Sequence, residues 1–178
     1  MKKLLIVALV AGSSFNVIAD TNAYIGLNAG QASLDGQKDV GVGAYVGANL
    51  LSFLGVEIGF QGHGKQEELW LPENDLVNIK DVSQFDSFYF ALKPQVMVGP
   101  VQLYAKLGRH AWSGETTLEI DGKTEHTYET ESGHGYMYGV GADYFFSEGL
   151  SAGVLAQKYE TKYGNVEHIG VNFTLHFM

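Results

Sequence analysis

The chain has 178 residues, with 20 acidic against 11 basic groups, a formal net charge of −9, no cysteine, 3 prolines and 23 glycines. One domain fits that length, and the missing cysteines exclude a disulfide scaffold, a thiolate zinc site and a cysteine nucleophile. The acidic balance argues against a nucleic-acid partner, because no basic surface is there to displace counterions from phosphates.

Residues 1–19 read as a signal peptide. Lys2 and Lys3 give a positive start, Leu4 to Ala11 an apolar run, and Val17-Ile18-Ala19 a small-residue cleavage site, which leaves 20–178 as the exported domain. The apolar run falls short of the roughly 20 residues that a spanning helix needs. No cysteine follows the cleavage site to carry a lipid anchor.

Beyond it the chain alternates with period two, which predicts strands at 22–32, 39–50, 53–64, 86–97, 100–113, 134–146, 150–162 and 166–178. Each splits into unlike faces. In the third, Leu54, Val56, Ile58 and Phe60 alternate with Gly55, Glu57, Gly59, Gln61 and His63. In the last, Ile169, Val171, Phe173, Leu175 and Phe177 alternate with His168, Gly170, Asn172, Thr174 and His176. Tight links at Leu51-Ser52, Val98-Gly99 and Ser147-Glu148-Gly149 alternate with long polar ones at 65–85 and 114–133. The link near Tyr163-Gly164-Asn165 breaks that alternation. Short turns on one side and long loops on the other are how outer-membrane barrels are built.

Alternation alone does not orient the faces, since a soluble lipocalin-like barrel points its apolar residues inward. Glu57, Lys93, Lys106 and Asp143 fall at mid-strand on the non-apolar face, where a greasy interior would leave them unpaired. Aromatics gather near strand ends (Tyr136, Tyr138, Tyr144, Phe146, Phe173, Phe177), as in interfacial girdles. The expected fold is all-β: an eight-stranded antiparallel up-and-down transmembrane β-barrel in the cell outer membrane, with both termini in the periplasm. Closure satisfies every backbone group, so no cofactor is needed.

The run GVGAYVGANLLSFLGVEIGFQG resembles the second and third strands of the OmpA-type transmembrane barrel. YIGLNAG is similar to that family's first strand, LYAKLGRHAW to its fifth, and GADYFFSEGLSAG to its sixth strand, turn and seventh-strand start. HIGVNFTLHF resembles the signal read by the outer-membrane assembly machinery, with Gly170, Phe173, Leu175 and Phe177 at its pattern positions. The family's peptidoglycan-binding domain has no counterpart in this sequence, so cell-wall anchoring is not implied. Met178 follows the terminal phenylalanine, where many autonomous barrels end on the aromatic.

The resemblance implies a lumen charge network. The family's inward glutamate pairs alternately with inward basic residues and gates a narrow water path. Glu57 and Lys93 match two of its positions, Lys106 stands where the family has an arginine, and Asp143 matches an inward acid. Gly153 replaces the family's seventh-strand arginine, which leaves Lys106 as the substitute gate partner. Against the gate stands a static polar plug, because an eight-stranded interior is just wide enough for side chains to fill.

Six histidines stand at 63, 110, 126, 134, 168 and 176. Four of them, His63, His110, His134 and His168, lie toward the long-loop ends of their strands, where solvated polar caps are expected; no pair has metal-ligand spacing. The acidic long loops lack the calcium-loop pattern, and divalent cations would have to bridge them to lipopolysaccharide phosphates. Trp70 and Leu71 in the second long loop are candidates for contact with a host surface or phage. In the third, Thr116 to Ile120 and Thr124 to Tyr128 alternate and should extend the barrel outward as a hairpin around Asp121-Gly122.

No His is followed two residues later by Ser, the pairing a lipid-A deacylase barrel uses, and only Asp20 to Asn22 precede the first strand where a palmitoyltransferase barrel has a helix. The sequence therefore reads as a non-enzymatic outer-membrane barrel with a structural or surface-interaction role in envelope integrity or loop-mediated adhesion. A narrow ion or small-solute channel is the alternative, and a lipid-A-active enzyme the third. The expected partners are outer-membrane lipids, lipopolysaccharide and the assembly machinery.

Overall fold

A computed structural model describes residues 22–34, 36–69, 79–120, 123–162 and 164–177. The strands are β1 (Asn22–Leu34), β2 (Gln37–Leu51), β3 (Leu54–Leu69), β4 (Ile79–Val98), β5 (Val101–Ile120), β6 (Lys123–Ser147), β7 (Leu150–Thr161) and β8 (Gly164–Phe177). Each pairs antiparallel with its chain neighbours, and β1 pairs with β8 to close the barrel. All eight predicted strands are present, and the apolar faces point outward: Leu27 is 64 % exposed and Val140 61 %, while Glu57 is 0 % exposed. That inversion of a soluble core is what lipid requires of a barrel wall.

The turns at the short end of the barrel are two residues long: Ser52-Phe53, Gly99-Pro100 and Glu148-Gly149. Gly99 has φ 61°, a conformation that favours glycine.

The strands differ most from expectation at the other end. The 65–85 link is not a loop throughout. β3 and β4 stay paired from Lys65↔Gln84 to Leu69↔Lys80 after a bulge between Gly62 and Lys65. The hairpin expected of the third long loop is present, with β5 and β6 paired through two irregularities as far as Ile120↔Lys123. Strands β3 to β6 therefore outrun β7, which has 12 residues against 25 for β6.

Paired positions wind round the barrel on a slant. From Leu34 the row passes through Val166, Tyr159, Met137, Gly108, Ala91, Glu57 and Gly47, and returns to β1 at Tyr24. Returning from Leu34 to Tyr24 is the stagger that closes a tilted barrel. Six large rings fit inside because each faces a cross-strand glycine; Tyr159, paired with Met137 and Val166, does not. Tyr24 lies over Gly47, Tyr45 over Gly26, Tyr89 over Gly59, Tyr104 over Gly141, Trp112 over Gly133 and Phe85 over Gly114. A Cβ at Gly47 would stand 2.3 Å from Tyr24 Cζ.

Candidate functional site

Alternation turns Glu57 (β3), Lys93 (β4), Lys106 (β5) and Asp143 (β6) into the lumen, and none is more than 2 % exposed. Lys106 Nζ lies 2.6 Å from Glu57 Oε1. The Tyr89 hydroxyl donates to the same oxygen at 2.7 Å and Tyr24 donates to Oε2 at 3.1 Å. Lys93 stands outside this pair. Its Nζ sits 4.5 Å from the Tyr24 ring centroid and 4.4 Å from that of Tyr104, and no carboxylate of the described residues pairs with it. Ring faces stabilise such a desolvated cation electrostatically. Asp143 accepts a hydrogen bond from Asn172 at 2.8 Å, and Asn172 also donates to the Tyr45 hydroxyl at 3.2 Å. The four charges therefore form one ion pair, one ring-caged ammonium and one amide-bound carboxylate.

Toward the long-strand end, Ser87 Oγ lies 2.9 Å from His63 Nε2 and 3.2 Å from His110 Nδ1, while His110 Nε2 donates to the Glu160 carbonyl at 2.9 Å. The Tyr159 ring from β7 meets the His63 ring edge-on at 4.8 Å, and also those of His110 at 5.2 Å and Tyr89 at 6.2 Å. Ala32, Leu34, Met137 and Val166 are buried in the same apolar cluster. This corrects the expectation of solvated rim histidines. His63, His110 and His168 are buried inside the barrel, and His134 alone of those four is exposed. Strand extension places His63 and His110 below the rim rather than on it, whereas His168 is turned inward by parity on β8, which is not extended.

Ser–His contacts exist, but they come from different strands and lie in the lumen: His63–Ser87–His110, and Ser151 Oγ 2.9 Å from His176 Nε2. No carboxylate orients either pair among the described residues, so the arrangement lacks the third member that activates a nucleophile. No trio of histidine or acidic side chains is placed to hold a metal ion among the described residues. Sequence reasoning missed Ser87 and Tyr159; parity turned both inward, but nothing local marked the residues they meet.

Of the remaining candidates, Phe173, Leu175 and Phe177 point outward and are exposed. Gly170 lies in the β8–β1 seam, where a Cβ would stand 2.3 Å from the Ala29 carbonyl oxygen. Trp70 and Leu71 lie outside the described residues.

The barrel wall has unequal height. The β6–β7 ladder ends at Met137↔Tyr159 and the β2–β3 ladder at Val42↔Gly62, whereas β3 to β6 stay paired with one another beyond both. The result is a four-stranded sheet standing above the rim. Its two edges differ. On β3, the Asp39 carboxylate of β2 takes the Lys65 amide at 2.5 Å and the Val40 amide at 2.7 Å. These two amides hold the Asp39 carboxyl below its usual range. On β6, residues 123–134 run with β5 on one side and no strand of the described residues on the other; near their base Lys162 reaches Glu131 at 2.5 Å.

The chain is similar in fold to several solved barrels. The crystal structure of Ail, the attachment invasion locus protein of Yersinia pestis, aligns with a TM-score of 0.55 at 16 % identity, covering 88 % of this chain and 97 % of that one. Ail in complex with the heparin analogue sucrose octasulfate aligns at 0.56 and 17 %, with the same coverage. A major outer membrane protein from Thermus thermophilus aligns at 0.57 and 12 %, covering 89 % and 100 %. No curated protein matches the sequence. The family model for the outer membrane protein beta-barrel domain matches residues 4–177. A closed eight-stranded wall, apolar toward lipid and polar within, together with that match, makes the chain a member of the outer-membrane protein β-barrel domain family.

Proposed function

We propose that this outer-membrane barrel acts at the cell surface by docking an extended, basic polypeptide segment along the free edge of β6, after an export signal at residues 1–19 is removed. The open edge above the rim carries the reading. An edge strand presents unpaired amides and carbonyls that template another strand, and strand addition is a recurrent mode of peptide recognition. The sequence around that edge is acidic, with Glu115, Glu119, Glu125, Glu129 and Glu131 against Lys123, which selects a cationic partner. The same charge disfavours a polysulfated ligand of the kind bound to Ail. Binding rather than catalysis fits a lumen whose Ser–His pairs are walled in and lack an orienting acid. Of the alternatives, conduction would require a path through space that Glu57, Lys106 and Tyr159 fill, and lipid-A chemistry would require groups turned toward lipid. The assembly-signal role of Gly170, Phe173, Leu175 and Phe177 remains part of the same proposal.

The test displays the chain on bacteria and measures retention on arrays of extended peptides of matched composition and opposite net charge. Basic peptides should be retained. Glu125→Lys with Glu129→Lys should lower retention about tenfold while heat-modifiable migration stays unchanged. Equal retention of acidic and basic peptides would sink the reading.

A further inference from the structure

The lumen contains a second closure, separate from its ion pair. In a closed ring of eight strands, β7 and β3 stand on opposite walls. Tyr159 on β7 nevertheless reaches His63 on β3, with ring centroids 4.8 Å apart and planes inclined at 68°. A ring from one wall in contact with a ring from the opposite wall leaves no passage for water between them. Flanking residues from β4, β5, β6, β8 and β1 pack round the same layer. His110 of β5 packs edge-on against the same ring at 5.2 Å, and Ser87 of β4 ties His110 to His63. On the other side Val166 and Leu34 continue the slanted row from Tyr159, and Met137 precedes it; all three are at most 5 % exposed. The Tyr159 hydroxyl does not bind across the lumen. It donates to Gln157 two residues away on its own strand, at 3.0 Å.

We infer that Tyr159 is the outer gate of the lumen, a neutral crossbar that keeps water and small solutes on the cell-surface side from the polar interior, independently of the Glu57–Lys106 pair. A constriction filled by packed rings closes a pore by leaving water no room, without any charge having to move. The ring makes the closure and the hydroxyl only orients it. Tyr159→Phe therefore stays closed, and Tyr159→Gly opens the layer as far as Gln61, which is fully buried on β3 between His63 and Glu57.

The chain has no cysteine, so a single thiol at Gln61→Cys reports access to the space below the crossbar. Intact bacteria displaying the protein are treated from outside with a small, charged, membrane-impermeant thiosulfonate. Gln61→Cys alone and with Tyr159→Phe should stay unreactive, and adding Tyr159→Gly should raise the labelling rate by at least about tenfold. Lys106→Gln, on the far side of the reporter, should leave the rate unchanged. Heat-modifiable migration checks that each variant is folded. A reporter that reacts freely with Tyr159 in place, stays inert in the folded Tyr159→Gly variant, or is released by Lys106→Gln would overturn the assignment.

Discussion

Glu57 has three hydrogen-bonding partners in a site without bulk water, so its neighbours cannot be removed one at a time without cost. Lys106→Met strands a buried carboxylate, and breaking such a pair from one side typically costs about 3–5 kcal/mol. Urea unfolding in bilayers should show that loss, and the double variant Glu57→Gln/Lys106→Gln should recover much of it, because it leaves no uncompensated charge. Parity placed all four lumen charges on one face of their strands. It did not choose between Lys93 and Lys106 as the partner of Glu57. Alternation gives the side of the wall a residue faces, whereas pairing depends on the height and bearing of side chains from separate strands. The same gap hid Ser87 between two histidines and Tyr159 across the lumen. Asp39 is a residue-scale device outside the apolar band. Its carboxyl titrates below its unfolded value, so the stability it lends is present above about pH 4 and is lost as pH falls through its folded pKa. Following the Lys65 amide resonance during acidification should show that tip loosening, and Asp39→Asn should weaken it at neutral pH.

At the scale of the strand pair, the glycines and the large rings are one design. Six lumen aromatics, four tyrosines, a tryptophan and a phenylalanine, each lie over a cross-strand glycine, which explains how so narrow a barrel holds them beside Tyr159 without bulging. Gly47→Ala should displace Tyr24 from Glu57 and Lys93 and cost about 1–3 kcal/mol, as overpacking does. Gly149→Ala, whose Cβ would meet nothing closer than 3.7 Å, should be near neutral in the same assay. The period-two pattern revealed the eight strands because each has one face in lipid, and that face must be uniformly apolar. It faded above the apolar band, where no face has to be uniformly apolar and no such signal marks strand from loop. That is why the strand extensions at 65–69 and 79–85 read as a loop, while the Thr-rich alternation of the third hairpin still showed.

On the scale of the whole molecule, the long edge of β6 and the β3 edge held at Lys65 by Asp39 make the upper part of the wall asymmetric. The closing seam joins β1 to β8, from Ala23↔Phe177 to Leu34↔Val166. Every other ladder joins strands adjacent in sequence and can form as soon as a hairpin exists. The seam alone joins the two strands farthest apart in the described chain, and contacts of that separation form late. Time therefore enters the architecture. Until β8 arrives, β1 must wait with half its hydrogen bonds unmet, which lipid does not tolerate. The interval between the first hairpin and the seam is when this chain's open side is most exposed, and it ends where the two backbones close up at Gly170.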